Sequence, residues 1–400
     1  MRLINLFTTF LLVYLFYGFY VSSYDTEIFA KPTKTQRSTH FYYYQGISNI
    51  HSNLSLGTSA YQQIVESGRK AGQDFLIFTD LNVFNFMGLD LNLQGFLTLF
   101  GAKYSYLDSR LIFFSSNKES TLGNLGEAQV FLTDLLAKKP ADHAESLIYL
   151  AHPFHLGFDW TGPLPEGLDG IEVINIKALA MKSWQDSKFS VLWSLLLYPF
   201  NPRYAFLRLL TEPTEELSLL DEVASHRKVS AFAGAEASAR AIPLSSYPIR
   251  FPSYLRTFEI AANHVQLTSE LTGNLKSDRE KLMRSLKQGN SYLSFDILGD
   301  SRGFEAYLDD GENILPIGTE MAWRPGVKIR AILPGVLQDF YEVVLLKEGK
   351  RFKTSNELDT IFDISEPGVY RVQVRVSPLF PLPDAKRWIP WIYTNSFWLK

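Results

Sequence analysis

From residue 41 to residue 240, short apolar runs alternate with longer amphipathic ones, and this alternation constrains the fold more than any other feature. The runs "FYYYQGISNIHS", "DFLIFTDLN", "RLIFFSS", "SLIYLAHP", "GIEVINI" and "KVSAFAGAEA" have the length and composition of strands. Helical patterns lie between them. "SAYQQIVESGRKAG" puts Tyr61, Ile64, Val65 and Ala71 on one face and ends at Gly72, and "EAQVFLTDLLAKKP" stops at Pro140. Apolar strands alternating with helices are covered on both faces and pair in parallel, which makes this an α/β fold. In such folds chemistry sits just past the carboxyl ends of the strands. His51, Asp80, His152, Glu172 and Glu236 fall at or near such ends.

The last hundred residues change character. "FEAYLDD", "VKIRAIL", "FYEVVLLKEGKRFKT", "GVYRVQVRV" and "IYTNSFWLK" are short alternating runs broken by turn residues, with "KEGK" as a hairpin signal. They read as a small antiparallel β-sandwich. At the other end, Leu3 to Tyr24 carries no charge, which is long enough to cross a bilayer as a helix. An uncleaved anchor is the favoured reading, because "GFYVSSYDT" offers no convincing cleavage site; a signal peptide is the rival. Arg2 and the amino terminus favour a cytoplasmic N-terminal end, while Lys31, Lys34 and Arg37 argue the other way. The expected organisation is an anchor or signal segment over 1–24, a linker over 25–40, an α/β domain over 41–300 and a β-sandwich over 301–400. The body is expected outside the cytoplasm, in a bacterial cell envelope.

The chain has 400 residues, no cysteine and a formal net charge of −3. The first excludes nothing, but the lack of thiols excludes disulfides, thiolate metal sites and cysteine nucleophiles. Without long charged blocks there is no nucleic-acid surface to propose. The 57 aromatic residues (Phe 30, Tyr 20, Trp 7) suit either an aromatic core or membrane proximity. "FSVLWSLLLYPFNP", 189 to 202, is too short to span a bilayer and reads as a buried helix or, with "RYAFLRLL" up to about residue 210, as a pair resting on the membrane. The expected partners are therefore the membrane and an unidentified protein.

The order "HSNLSLG…AGQDFLIFTDLN…FGAKYSY…YLAHP…GIEVINI…VSAFAGAEASA" resembles the PHP (polymerase and histidinol phosphatase) family of metal-dependent phosphoesterases. "RFPSYLRTFEIAANHVQL", "LMRSLKQGNSYLSFD" and the closing segment resemble the branch with an Ig-like C-terminal domain, so the likeness covers roughly 40–400. It implies a distorted (β/α)7 barrel followed by that sandwich. It also implies a metal site, and most of that site's positions are substituted here. The family's His-x-His and Ser-Asp-Gly are His51-Ser52-Asn53 and Ser55-Leu56-Gly57. Its Thr-Asp-His is Thr79-Asp80-Leu81, and its bridging glutamate is Lys103. His152-Pro153 is kept, and the last motif reads Gly234-Ala235-Glu236-Ala237-Ser238.

A multinuclear site needs many lone-pair donors and net negative charge. Leucine donates nothing, an amide is a weak ligand for zinc-like metals, and a lysine repels a dication. The positions His51, Asn53, Asp80, Lys103, His152, Glu236 and Ser238 thus read as a vestigial metal site with no assigned catalytic residue, and Glu172 as polarity at the barrel mouth. No cofactor is expected beyond a single divalent metal at His51, His152 and Glu236. Lys103 is expected to replace the metals by neutralising both Asp80 and Glu236, since buried carboxylates need partners. His143, His155, His226 and His264 fall in no pattern. Two functions follow: a membrane-anchored, catalytically degenerate binding or scaffold module, or a phosphoesterase with a reduced metal site.

Overall fold

The computed structural model describes residues 2–30, 40–83, 90–93, 95–115, 124–143, 146–155, 157–240 and 250–400. Lys31, Lys34 and Arg37 lie outside them. The first helix, α1 (Arg2–Ser22), carries no charge after Arg2, is largely exposed and is long and apolar enough to cross a membrane. By length and composition it is suited to be a membrane anchor or a signal sequence, and it does not indicate which side the body occupies.

The alternating region folds as expected in most of its elements. In chain order the strands are β1 (Tyr42–Ile50), β2 (Phe75–Phe78), β3 (Leu91–Leu93), β4 (Phe96–Phe100), β5 (Ala102–Tyr106), β6 (Ser109–Ser115), β7 (Ser146–Leu150), β8 (Gly170–Asn175), β9 (Ser230–Ala237), β10 (Ala262–Leu267) and β11 (Ser291–Ser294). The helices among them are α2 (Tyr61–Lys70), α3 (Leu125–Leu136), α4 (Ile176–Asp186), α5 (Lys188–Leu197), α6 (Pro202–Leu209), α7 (Thr214–His226), α8 (Tyr254–Phe258) and α9 (Leu275–Gln288). α2 buries Ile64, Val65 and Gly68, and its chain reverses at Gly72, whose φ of 75° suits a residue without a side chain. α3 starts at Asn124, whose side chain caps the amides of Gly126 and Glu127.

β9–β1–β2–β4 and β7–β8–β9 pair in parallel. β4 runs through Gly101 directly into β5, and β5–β6–β7 are antiparallel, so pairing and chain connection together link these strands in one circuit of the large sheet. The antiparallel part departs from the parallel pairing expected throughout. The reason is the two-residue turn at Leu107 (φ 51°) and Asp108: a turn that short joins only antiparallel neighbours, whereas parallel strands need a long crossover.

The C-terminal strands are β12 (Glu305–Asp309), β13 (Ile314–Pro316), β14 (Glu320–Met321), β15 (Lys328–Ile332), β16 (Phe340–Lys347), β17 (Lys350–Ser355), β18 (Asp359–Asp363), β19 (Gly368–Ser377), β20 (Ile389–Thr394) and β21 (Phe397–Leu399). Four of them form a separate antiparallel sheet in the order β13-β12-β15-β18. The others join the large sheet: β20 pairs with both β19 and β11, so strand hydrogen bonds cross residue 300. The molecule is thus a mixed α/β protein with one large sheet, a second small antiparallel sheet and an N-terminal apolar helix.

Residues 25–30, expected as part of a linker, are docked. Ile28 is fully buried; its amide donates to Leu298 O at 3.1 Å and its carbonyl accepts from Gln338 N at 2.8 Å. An isoleucine gains more from that burial than a solvated tether would offer.

Candidate functional site

Five of the sequence-derived positions converge inside the circuit. His51 follows β1, Lys103 lies on β5, His152 follows β7, Glu172 sits in β8 and Glu236 near the end of β9. All are buried, with Lys103 among the largest fully buried side chains. Three non-glycine residues here hold positive φ: Asn49 (57°), His152 (33°) and Glu236 (45°). Such backbone costs about 1–3 kcal/mol per residue and collects at functional sites. In β1 the strained residue coincides with a register slip between Ile47 and Ile50, which turns Asn49 inward.

Lys103 Nζ lies 3.0 Å from Glu236 Oε1 and donates to Asn49 Oδ1 at 3.4 Å. Asn49 Nδ2 in turn donates to Glu172 Oε1 at 2.8 Å. On the other side Asn175 Nδ2 donates to Glu172 Oε2 and to Glu236 Oε2, both at 2.8 Å, while its Oδ1 caps α4 at Ala178 N. The amide of His152 completes the shell around Glu172, donating to Oε2 at 2.9 Å. Gly234 makes room for it: a β-carbon there would stand 1.6 Å from Glu172 Oε1. Lys177 Nζ lies 3.8 Å from Glu236 Oε1, and His152 Nε2 lies 3.8 Å from Glu236 Oε2. The His155 ring packs 4.9 Å from that of His152.

The electrostatics follow from this packing. Burial pushes the Glu236 carboxyl up, but the ammonium of Lys103, with that of Lys177 beside it, holds it well below the usual carboxylate range. Burial followed by repulsion from Lys103 lowers His51 and His152 to about 3 each, so both imidazoles are neutral. Glu172 is raised to about 7 by burial, against the opposing pull of Lys103. Two neighbouring carboxyls are thereby driven apart, a pattern that accompanies acid–base sites. Glu172 is nonetheless only 1% exposed and enclosed by three donors. The residue expected as polarity at the barrel mouth is thus enclosed, in a strand, β8, that is buried along its whole length.

Asp80 is the second correction. Its carboxylate accepts from Ser52 N, from Ser52 Oγ at 2.7 Å and from Ser55 Oγ, and among the described residues it makes no ion pair with Lys103. The local turn "HSNLS" supplies those donors, so the carboxylate has no need of the ammonium. Ser55 Oγ also approaches His51 Nδ1 at 3.5 Å, but its proton is directed to Asp80. The imidazole is not interposed between hydroxyl and carboxylate, which is the arrangement a relay nucleophile requires. Asn53 and Leu56 point to solvent, and Leu81 and Ser238 are half-buried, with Ser238 O accepting from Tyr254 Oη at 3.2 Å. His264 stacks on Tyr292, far along the sheet, and contacts Ser301 Oγ at 3.0 Å.

Asn49, Asn175, Lys177, Ser52 and Ser55 were not singled out from sequence. A detectable signal existed only for Asn175, an asparagine directly before a helical pattern.

These side chains do not suit a multinuclear metal centre. Among the described residues no three His, Asp or Glu converge so as to hold an ion. Glu236, the central carboxylate, is already countered by a buried ammonium. Two nitrogens, His51 Nε2 and His152 Nδ1, are buried without a hydrogen-bond partner among the described residues.

Beside Glu236 and Lys177 the site adjoins a cavity of about 420 Å³, walled by α4, α5, α6 and the residues after β9.

No protein-family model matches the chain, and no curated protein is significantly similar to it. Among solved structures, it is similar to a two-domain protein containing a predicted PHP-like metal-dependent phosphoesterase from Bacteroides vulgatus. The two share 11% sequence identity with a TM-score of 0.40, over 90% of this chain and 98% of that one.

Proposed function

We propose that the chain is a membrane-anchored, PHP-like protein whose metal centre has been replaced by an internal ion pair, and that it acts as a binding module. In this reading the circuit of strands is the distorted (β/α)7 barrel of that family and residues 301–400 are its Ig-like sandwich. α1 anchors the body to a bacterial cell envelope from the non-cytoplasmic side. The observation that carries the reading is Lys103: its ammonium lies 3.0 Å from Glu236, at the position where the resembling family has a metal-bridging carboxylate. At that distance the attraction is about 5 kcal/mol at an effective dielectric of 20, and a dication there would be repelled on the same scale. The neutral imidazoles and the amides of Asn49 and Asn175 complete a polar interior that balances its own charge.

A phosphoesterase with a reduced metal site is the second reading. It is favoured by the unpartnered nitrogens of His51 and His152, which with Glu236 are the surviving donors. One experiment separates the two. The full chain, purified in mild detergent, is incubated with zinc, manganese and iron, then assayed for metal by elemental mass spectrometry and for hydrolysis of a generic phosphoester. The binding-module reading expects neither stoichiometric metal nor turnover. Stoichiometric metal that disappears in His51→Ala, together with hydrolysis, overturns it.

A further inference from the structure

α5 is an apolar helix with an exposed apolar face, on which Phe189, Leu192, Leu195 and Leu196 are at least 45% accessible. α1 lies beside it. Tyr14 Oη donates to Leu196 O at 2.7 Å, the Tyr17 and Trp193 rings pack with centroids 5.6 Å apart, and Phe200 fills the space over Gly18. A β-carbon on Gly18 would sit 2.4 Å from the Phe200 ring, so this approach depends on glycine. A helix of membrane-spanning length and the exposed face of α5 therefore form one continuous apolar surface.

The arginines of α6 do not interrupt it. Arg208 pairs with Asp384 and donates to the buried Ser194 Oγ of α5 at 2.8 Å, and Arg203 donates to Ile297 O at 2.9 Å.

Behind α5 lies the 420 Å³ cavity, within the size range of small-ligand sites. Its wall is amphipathic. Trp184, Leu195 and Phe206 are among its apolar lining, while Lys177, Arg240 and Glu236 also line it. Glu236 is already countered by Lys103, and Arg240 has no carboxylate partner among the described residues, so the polar part carries a cationic excess. Leu195 belongs both to the exposed face and to the lining, which links the two.

We propose that this cavity holds the acyl chain of an anionic membrane amphiphile, with its anionic head at Lys177 and Arg240. An apolar cavity offers water few partners, and one continuous with a membrane-facing surface is filled from the bilayer. The proposal rests on the reading that α1 places the chain at a membrane.

The test uses the full chain reconstituted in phosphatidylcholine vesicles. The probes are palmitic acid with a mid-chain diazirine and the matching neutral alcohol, with crosslinks mapped by peptide mass spectrometry. The expected result is acid-dependent labelling within 176–186 and 203–210 in addition to 2–22. Ala180→Trp, at an exposed lining position, fills the cavity and lowers labelling of those peptides by about tenfold while leaving 2–22 unchanged. Leu195→Glu does the same and carries the test if Ala180→Trp fails to fold. Lys177→Gln with Arg240→Gln removes the preference for acid over alcohol. Labelling confined to 2–22 and the outer face of α5, indifferent to both variants, overturns the cavity site while the anchor stands. Equal labelling by acid and alcohol in the native chain overturns the anionic head. Absence of labelling in 2–22 overturns the membrane reading itself.

Discussion

Replacing Lys103 with methionine keeps most of the side-chain volume and removes only the charge. Glu236 then stays buried without its main counter-ion, facing two neutral imidazoles. Lys177 remains at 3.8 Å but is about half exposed, so water screens it. The direct attraction lost is about 5 kcal/mol at an effective dielectric of 20, and breaking buried pairs costs roughly 3–5 kcal/mol. The expected destabilisation of Lys103→Met at neutral pH is therefore about 3–5 kcal/mol. It is read as a lower urea midpoint of tryptophan fluorescence in mild detergent, with the fully buried Trp391 and Trp398 as reporters. The penalty depends on pH. Without Lys103 the Glu236 carboxyl protonates at higher pH, and both imidazoles lose a repulsive neighbour, so the gap to the native chain narrows on acidification. Adding Glu236→Gln to Lys103→Met restores roughly 1–3 kcal/mol, because the uncompensated charge is gone. An unchanged midpoint in the single variant, or a double variant no more stable than it, refutes the ion pair as the centre of this interior.

Stability should climb from about pH 3 to a plateau near pH 7. His51 and His152, lowered to about 3, take up protons in the unfolded chain first, so stability present above about pH 6.5 is lost as pH falls toward 3. Glu172, raised to about 7, works in the other direction and costs on the order of 3 kcal/mol as pH rises from about 4.5 through 7. A flat denaturation profile between pH 4 and 8 would contradict both. Gly234→Ala should destabilise by about 3 kcal/mol or more, since its β-carbon would overlap Glu172 Oε1; urea unfolding checks it, and a neutral result would mean β8 and β9 shift freely. Glu172→Gln should cost about 1–3 kcal/mol at pH 7 despite removing a buried charge, because three donors converge on the carboxylate and the new amide offers one acceptor; equal or higher stability would show that those donors are dispensable.

The elements that were legible in the sequence are those set by local pattern. β2 is a continuous apolar run, and α2 shows a helical period with a glycine beyond its end. "KEGK" becomes a two-residue turn with φ of 50° at Glu348 and 76° at Gly349, as a tight hairpin requires. Pairings between distant segments left no such trace. β11 and β20 meet residue 292 to residue 394, and nothing in either strand specifies the other. The site divides the same way. Lys103 stood out through the motif it interrupts, where the resembling family has a bridging glutamate, and Glu236 through its place near a strand end. Asn49 and Asn175 did not, because an asparagine in a strand or before a helix has many ordinary roles, and their function is visible only once four strands are assembled around them.

The diversion of Asp80 explains how one ammonium suffices. A multinuclear centre would draw every nearby carboxylate inward, whereas Lys103 carries a single charge and can balance one. The sequence contains three carboxylates at this end of the strands, and the structure treats each differently. Glu236 takes the ammonium. Asp80 turns to Ser52 and Ser55 and becomes part of a tight turn. Glu172 is wrapped by two amides and a backbone N–H and, raised to about 7, sheds much of its charge at neutral pH. The strained backbones at Asn49, His152 and Glu236 keep the side chains aimed at one point, and each costs about 1–3 kcal/mol that the surrounding hydrogen bonds must offset. In the proposed reading this inward geometry is the inherited part. The charge balance is what changed, and it leaves Lys177 and Arg240, beside the membrane-facing cavity, as the cations available to a ligand.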